Sequence, residues 1–246
     1  MNKNQFRDKL KHKLIKLNLE ISNSKCDILW NYMKFLLKEN QKYNLTGIEK
    51  PETIINKHSV DSLTIFNEIS FQKDDKILDI GTGAGFPGMV LKIFQPDIKL
   101  VLLDSRLKRI NFLRLLVNKS FMSDIYTQNI EIIHDRAEKL GKNKQYRDKF
   151  NFVVSRAVAS LNVLCEYSIP FLVKNGYCIF YKGSEYKKEL NESKEALNIL
   201  GGVIDKTKEV KLSFIEEERY LILIKKISQT PIKYPRRNGI PKKRPL

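Results

Sequence analysis

The sequence predicts an α/β fold in which a mostly parallel β-sheet has helices on both faces. From about residue 76 onward, short apolar runs alternate with segments whose apolar residues recur at helical spacing. Such alternation is typical of consecutive βαβ units. The length of 246 residues, with 42% hydrophobic residues, is enough for one globular core with a modest extension.

The first seventy residues have helical periodicity and lack strand patterns. The spacing of apolar residues predicts helices over 5–17 and 27–40, and a third from about 54 to 66. A polar turn at 43–47 separates the second helix from the third. We therefore expect an N-terminal helical cap over residues 1–70.

The remaining elements follow in order along the chain. The predicted strands are 76–80, 99–103, 130–134, 151–155, 177–181, 208–214 and 219–226, and the predicted helices are 87–94, 106–120, 160–170 and 185–200. These elements define a sheet domain over residues 71–230, and a basic tail follows over 231–246.

A glycine-rich loop follows the first predicted strand directly. Gly81, Gly83 and Gly85 alternate with other residues after an apolar run. Glycines let a backbone turn tightly and come close to a ligand, but they cost stability inside a structured region. We interpret this loop as part of a nucleotide-cofactor site, with a ligand-free turn as the alternative.

The spacing of the loop favours one cofactor class over another. A dinucleotide fingerprint places glycine at the first, third and sixth positions. A frame that opens on Gly81 has Phe86 in the sixth place, although a frame that opens on Gly83 does reach Gly88. Asp79, two residues before Gly81, makes the spacing resemble the S-adenosylmethionine loop of class I methyltransferases more than a nicotinamide site.

Residues that follow later strands extend this prediction, because ligands in open parallel sheets bind beyond the carboxyl ends of the strands. Asp104 lies about 20 residues after the loop, where a carboxylate can accept bonds from both ribose hydroxyls. Ala137 leaves room for an adenine ring, whose amine Asp135 or Glu138 can bind. Arg156 can bind an anion or pair with Glu138. Helix capping and ion pairing are the alternatives for these residues.

The net charge of +17 and a pI near 9.6 indicate a polyanionic partner, and nucleic acid is the commonest one. Two basic segments contain no acidic residue, namely 105–119 and the tail 231–246. The prolines of the tail predict an extended conformation. Each segment alone is also compatible with a solvated surface, but together they favour phosphate contacts.

Other classes of protein are not supported by the composition. The three cysteines are scattered, which indicates neither a disulfide framework nor a zinc site. No apolar run approaches the roughly 18 residues of a membrane span, and the lysine-rich N-terminus does not read as a signal peptide. We expect a cytoplasmic protein without a metal and without a membrane partner.

Taken together, these motifs resemble the bacterial glucose-inhibited division protein B family, whose members are small-subunit ribosomal RNA guanine-N7 methyltransferases. The similarity runs in order from about Asn44 to the C-terminus. It is carried by Asn44-Leu45-Thr46, His58 with Asp61-Ser62-Leu63, the loop from Asp79 to Gly88, Leu103-Asp104-Ser105, Arg136-Ala137-Glu138, Ser155-Arg156-Ala157, Tyr181-Lys182-Gly183 and residues 233–241.

The resemblance implies a class I S-adenosylmethionine-dependent methyltransferase fold, which is Rossmann-like. It implies S-adenosylmethionine as cofactor, and as acceptor N7 of one guanine in small-subunit (16S) ribosomal RNA or a pre-ribosomal particle. A monomer is expected. By position, the family's cofactor contacts are Gly81, Phe86, Ala137, Glu138 and Arg156. Our interpretation of the loop and of the second strand adds Asp79, Gly83, Gly85 and Asp104, and the candidate RNA-binding residues are Asn44, His58, Lys108, Arg109, Arg236, Arg237, Lys242 and Lys243.

The expected chemistry needs no catalytic base. Guanine N7 has a lone pair and no proton, so its methylation depends on alignment of the reacting atoms. The Asn/Asp-Pro-Pro-Tyr motif of amine-directed methyltransferases is replaced by Ser155-Arg156-Ala157. We expect His58 to be structural or to contact RNA. An NAD-dependent oxidoreductase and a non-catalytic RNA-binding protein on the same fold remain as alternatives.

Overall fold

The computed structural model of the chain describes residues 1–47, 50–212, 214 and 217–246. A single sheet forms its centre. Within the described residues the strands are β1 (Lys76–Ile80), β2 (Lys99–Asp104), β3 (Ile130–His134), β4 (Phe150–Arg156), β5 (Leu172–Lys182), β6 (Gly202–Glu209) and β7 (Tyr220–Lys226). Their spatial order is β3-β2-β1-β4-β5-β7-β6. The pairs among β1 to β5 are parallel, and β7 is antiparallel to both β5 and β6. The predicted fold class is confirmed.

Helices cover both faces of this sheet. They are α1 (Lys3–Ile15), α2 (Asn23–Tyr43), α3 (Pro51–Ile54), α4 (Asp61–Leu63), α5 (Gly88–Phe94), α6 (Leu107–Val117), α7 (Asp124–Thr127), α8 (Ala137–Leu140), α9 (Leu161–Ser168), α10 (Tyr186–Glu192), α11 (Lys194–Leu200) and α12 (Ile240–Lys243). A π-helical turn spans Ile55–Val60, and 3₁₀ turns span Thr64–Asn67 and Ile169–Phe171. No described helix is both long enough and apolar enough to cross a membrane.

The sheet is buried on both faces, as its nearly continuous apolar strands require. Successive side chains of a strand point to opposite faces. On β1, Ile77 therefore packs in one hydrophobic cluster and Leu78 in the other, and on β4 the same holds for Val154 and Val153.

The helices of the first seventy residues belong to the first of these clusters. Phe6 of α1 and Leu36 of α2 are fully buried in it. The rings of Phe35 and Phe112 stack at 5.4 Å, which joins α2 to α6. The predicted cap region therefore shares one continuous core with the sheet.

The predicted helix from about 54 to 66 is broken into short pieces. The chain passes from α3 through the π-helical turn Ile55–Val60 into α4 and a 3₁₀ turn. A π-turn carries an extra residue and is frequent at functional sites. Here it leaves the carbonyl of Lys57 available to a side chain from the sheet, and Arg156 donates to it over 2.6 Å.

In the C-terminal half one predicted strand is wrong in position and one predicted helix is divided. The strand expected near 208–214 lies at Gly202–Glu209, because Gly201 ends α11 with φ +80° and the edge strand begins at once. Residue 213 of the expected strand lies outside the described residues. The helix expected over 185–200 is divided into α10 and α11 at Ser193.

The tail is not extended as its prolines predicted. It packs on the body of the protein, with Tyr234 buried, and it contains the short helix α12. Arg147 holds it by donating hydrogen bonds to the carbonyls of Tyr234 (2.7 Å) and Thr230 (2.8 Å). The prolines limit the local conformation, but backbone acceptors and buried rings determine where the tail lies.

Candidate functional site

A cavity of about 750 Å³ opens at the carboxyl ends of β1 to β4. Its volume falls in the range of small-molecule sites. Each strand supplies one wall, as expected for a parallel sheet. The lining includes Gly81–Ala84 with Phe86 after β1, Asp104–Arg106 at β2, Asp135–Glu138 after β3 and Arg156–Ala159 at β4.

The glycine loop folds back over the end of β2. The N–H of Gly81 donates to the carbonyl of Leu103 (2.8 Å), and the N–H of Gly83 donates to Asp104 Oδ2 (3.0 Å). Gly81, Gly83 and Gly85 have φ of +68°, +62° and +99°, which L side chains rarely adopt. The loop geometry thus accounts for the alternating glycines.

Gly83 and Gly85 differ in what lies beside them. A Cβ at Gly83 would have nothing nearer than 3.9 Å, so this side of the loop is open. A Cβ at Gly85 would lie 2.5 Å from the hydroxyl of Tyr32 and 2.8 Å from Met89. Gly85 does not line the cavity, and its small size serves the packing of α2 and α5 rather than the approach of a ligand.

We expect Gly85→Ala to lower the free energy of unfolding by about 1–3 kcal/mol more than Gly83→Ala does, because only the former overpacks a filled site. Both substitutions put alanine at a positive φ, so Gly83→Ala is the matched control for backbone strain. Urea denaturation of the two variants measures the difference. Equal losses of stability would show that Tyr32 and Met89 move away at no cost.

Asp79 supports the loop from below. It is fully buried, and its Oδ2 accepts bonds from Thr82 Oγ1 (2.7 Å) and the N–H of Gly88 (2.9 Å). Burial raises the pKa of this carboxyl to about 6. Asp79 does not line the cavity. The expected direct contact with a cofactor is therefore replaced by a role in shaping the loop.

Asp104 is held at the end of β2 with only 3% of its surface exposed. Its Oδ2 accepts from Gly83 N–H and from Arg109 Nη1, both at 3.0 Å, and its Oδ1 accepts from Arg106 N–H at 2.8 Å. Nε of Arg109 is a buried donor without a hydrogen-bond partner in the described part of the chain. Asp104 and Arg109 both line the cavity, so this arrangement places a carboxylate acceptor beside a guanidinium group at the cavity wall.

Ala137 and Glu138 form the wall beyond β3. Both are nearly buried at the start of α8. Glu138 Oε1 accepts a bond from the N–H of Gly239 in the tail (3.0 Å). Burial, and then the nearby carboxylate of Glu138, raise the pKa of Tyr167 to about 12. Glu138 and Tyr167 therefore lie side by side in the cavity wall.

Arg156 pairs with Asp61 and not with Glu138, which corrects one of the two partners predicted for it. Its Nη1 lies 2.9 Å from Asp61 Oδ2, and Arg219 Nε lies 3.0 Å from Asp61 Oδ1. Asp61 has no exposed surface. One buried carboxylate thus holds two guanidinium groups at the edge of the cavity.

His58 belongs to an aromatic stack at the same edge. Its ring stacks on Phe86 at 4.2 Å, and Phe86 stacks on Tyr32 at 5.2 Å. Arg156 Nη2 donates to His58 Nδ1 (3.0 Å), so Nε2 carries the proton and donates to Thr46 Oγ1 (3.2 Å). Burial, and then the charge of Arg156, lower the pKa of His58 to about 3. The ring is neutral and mostly enclosed by protein.

The other candidate RNA-binding residues divide into three groups. Lys108, Arg237 and Lys243 are exposed, and Asn44 is an exposed left-handed cap at the end of α2. Arg109 and Lys242 line the cavity. Arg236 forms an ion pair with the buried Glu166 (2.6 Å). Its guanidinium is therefore engaged inside the protein.

Sequence reasoning did not assign a role to several residues of the site. Asp61 stood in the family motif and in a helical pattern, where a lone acid in an apolar run was the available signal. Lys57, Tyr167 and Arg219 line the same cavity, but they stand in unremarkable local sequence. Only the fold brings them together.

The chain is similar to a described family of proteins. A family model described as rRNA small subunit methyltransferase G matches residues 25–221. The chain is 42% identical to a ribosomal RNA small subunit methyltransferase G of Alkaliphilus oremlandii (strain OhILAs), over 98% of this chain and 99% of that protein. It is 43% identical to the protein of that name from Clostridium novyi (strain NT), over 94% and 93% of the two chains.

Solved structures support the fold alone. A predicted O-methyltransferase from Agrobacterium tumefaciens superposes with a TM-score of 0.54 at 16% identity, covering 70% of this chain and 81% of that one. A fibrillarin/Nop5p complex gives a TM-score of 0.51 at 14% identity, covering 72% and 80%. Both identities are too low to indicate a substrate.

Proposed function

The chain belongs to the rRNA small subunit methyltransferase G family, and from this we propose that it transfers a methyl group from S-adenosylmethionine to N7 of a guanine in small-subunit ribosomal RNA. The observation that carries the proposal is the cavity at the carboxyl ends of β1 to β4, with the glycine loop and Asp104 on one side and Arg156 on the other. We further propose that the protein acts in the cytoplasm. Because one chain encloses this cavity, we propose that it acts as a monomer.

The residues of the cavity fit an adenosyl group. A ribose hydroxyl can donate to the carboxylate of Asp104, which lines the cavity and accepts three of the roughly four hydrogen bonds that a carboxylate can take. The small Ala137 and the carboxylate of Glu138 suit a flat ring that carries an amine. The open side of Gly83 leaves space where the backbone meets the ligand.

When bound, S-adenosylmethionine supplies a methyl group on a positively charged sulfur. The chain's part is to bind and to align. Phe86 and His58 form a fixed apolar wall, and Arg156, held by Asp61, keeps a guanidinium at the cavity edge for the negatively charged end of a ligand. Such a site lowers the barrier by holding the acceptor atom about 3 Å from the methyl carbon.

The titratable groups of this cavity support a reaction without proton abstraction. His58 is neutral, with a pKa near 3, and is therefore a weak base. The carboxylates of Asp61 and Asp104 are paired with arginines, and Glu138 accepts a bond from the tail. Guanine N7 needs no base, whereas an amino group or a hydroxyl must lose a proton.

We expect the single-turnover rate of methylation to be constant from about pH 6.5 to 8.5. His58 has a folded-state pKa of about 3 and an ordinary value of 6.5, so it stays neutral throughout this range. Asp79 has a pKa raised to about 6, so its carboxyl is mostly ionised over the same pH range. Rapid-quench measurements at saturating cofactor give the profile. A rate that rises about tenfold per pH unit would indicate a general base and contradict the N7 assignment.

We propose that RNA approaches over a basic rim of the cavity, formed by Arg106, Arg136 and Lys242, which are exposed and line its opening. We expect the double variant Arg106→Ala/Arg136→Ala to lower the slope of log K against log salt for RNA binding by about 1.4–1.8. Filter binding over a range of salt measures the slope.

The matched control for this rim is Lys174→Ala. Lys174 is exposed near the amino end of β5, whereas the cavity lies at the carboxyl ends of the parallel strands. We expect its substitution to leave the salt slope unchanged. A slope that falls as much per removed charge in Lys174→Ala as in the double variant would mean that RNA binds the charge of the whole protein and not this rim.

The decisive experiment is to map 7-methylguanosine after the purified protein acts on small-subunit ribosomal RNA or subunits. Borohydride reduction followed by aniline cleavage breaks the strand at that base, and primer extension locates the break. One new cleavage site that depends on S-adenosylmethionine is the expected result. Binding of RNA without cleavage sites would favour the non-catalytic alternative, and binding of NAD in place of S-adenosylmethionine would favour the oxidoreductase.

A further inference from the structure

The tail, residues 231–246, is fastened to the protein by a forked ion pair. Arg236 Nε and Nη2 donate to Glu166 Oε1 (2.9 Å) and Oε2 (2.6 Å), and the N–H of Arg236 donates to Oε1 as well (2.7 Å). Glu166 has no exposed surface. Bidentate pairs of this kind fix orientation as well as position. The arginine therefore sets how the chain continues beyond it.

The chain that follows Arg236 returns to the cavity. Gly239, at φ +77°, directs its N–H to Glu138 Oε1 (3.0 Å), and Lys242 lines the cavity opening. Glu166 and Tyr167 are neighbours on α9, and Tyr167 lies in the cavity wall beside Glu138. One helix thus carries both the anchor of the tail and a wall of the site.

The hydrogen bond from Gly239 constrains the orientation of the Glu138 carboxylate. A carboxylate has two oxygens with about four acceptor sites, so one bond from the tail orients the group and leaves capacity for a ligand. An orienting donor matters most where the carboxylate is nearly buried, since free rotation would lose the alignment with a ligand. The side chain of Arg236 bonds Glu166, so it acts on Glu138 through the backbone that joins Arg236 to Gly239.

We propose that Arg236 is a positioning residue for cofactor binding: by clamping the tail to Glu166 it presents the N–H of Gly239 to Glu138 and fixes that carboxylate for the adenine amine. This inference rests on the proposed function of the cavity. The inference gives Arg236 a role different from that of the other basic residues of the tail, which are Arg237, Lys242 and Lys243. Arg236 is partly buried in its ion pair with the buried Glu166, and the other three are exposed, with Lys242 at the cavity opening.

The test compares two neighbouring arginines in the full-length protein. Arg236→Lys keeps the charge and loses the fork, and Arg237→Lys makes the same change at an exposed residue. Calorimetric titration with S-adenosylmethionine should give a Kd raised about tenfold for Arg236→Lys and an unchanged Kd for Arg237→Lys. A tenfold change is typical of the coupling between two separate sites of a protein. The single-turnover rate at saturating cofactor should stay within about twofold of wild type.

A purely structural role of Arg236 would lower the melting temperature and leave the Kd of the folded protein unchanged, which would overturn the inference. A second measurement needs no variant. Because coupling is reciprocal, S-adenosylhomocysteine should slow hydrogen exchange at the amide of Gly239 in the wild-type protein by about the same tenfold. Exchange that is unaffected by the ligand would also overturn it. Wild-type protein that binds neither compound would instead refute the proposed function.

Discussion

Asp61→Asn should lower the free energy of unfolding by about 3–5 kcal/mol, the usual cost of breaking a buried ion pair. The carboxylate has no exposed surface and lies within 3.0 Å of two guanidinium groups, those of Arg156 and Arg219. Asparagine keeps the shape and removes the charge, so two partly buried positive groups lose their common partner. Urea denaturation at pH 7 with and without the substitution measures the loss.

The matched control is Asp27→Asn. Asp27 also pairs with an arginine, Arg7, but both side chains are about a quarter exposed. Water screens such a pair, so we expect a much smaller change in stability. If Asp61→Asn were no more harmful than Asp27→Asn, the two guanidinium groups would have to be held by other contacts.

Arg156→Lys should reduce kcat/KM for methylation by roughly ten- to a hundredfold, about 1.4–2.7 kcal/mol of transition-state stabilisation. The arginine makes separate bonds to Lys57 O, Asp61 Oδ2 and His58 Nδ1. A lysine ammonium retains the charge, but it cannot reproduce this planar arrangement. Steady-state assays measure kcat/KM, and single-turnover assays at subsaturating and at saturating cofactor separate cofactor binding from the chemical step.

Circular dichroism and cofactor titration accompany this measurement, because Arg156 also supports the packing around Asp61. A folded Arg156→Lys enzyme with the wild-type single-turnover rate would show that the guanidinium fork has no part in alignment. Restoration of the rate by excess cofactor would assign the arginine to cofactor binding alone.

Much of the fold was predictable because the sheet is buried on both faces. Strands β1 to β4 are short apolar runs with few alternatives, and turns or charged residues bound them. The edge strand β6 was misplaced because residues 205–209 are polar and only Val203 and Ile204 are apolar, whereas Val210 and Leu212 follow just beyond the strand. Backbone pairing with β7, which depends on distant residues, determines where that strand lies.

The site was predictable in type but only partly in detail. Spacing identified the glycine loop, but it could not separate Gly83, which borders open space, from Gly85, which faces Tyr32. Nor could it show that Arg156 pairs with Asp61 from the helical region and not with Glu138 after the neighbouring strand. Local sequence does not indicate which charged residues, distant from one another in the chain, form ion pairs.

The charge cluster around Asp61 can form only late in the synthesis of the chain. Its three members come from the start, the middle and the end of the chain, since Asp61 precedes the sheet, Arg156 ends β4 and Arg219 precedes β7. A nascent polypeptide released up to residue 200 contains the complete glycine loop and its supporting strands, yet still lacks Arg219. The ion-pair cluster at the edge of the site is therefore completed only after Arg219 has been synthesised, near the end of translation.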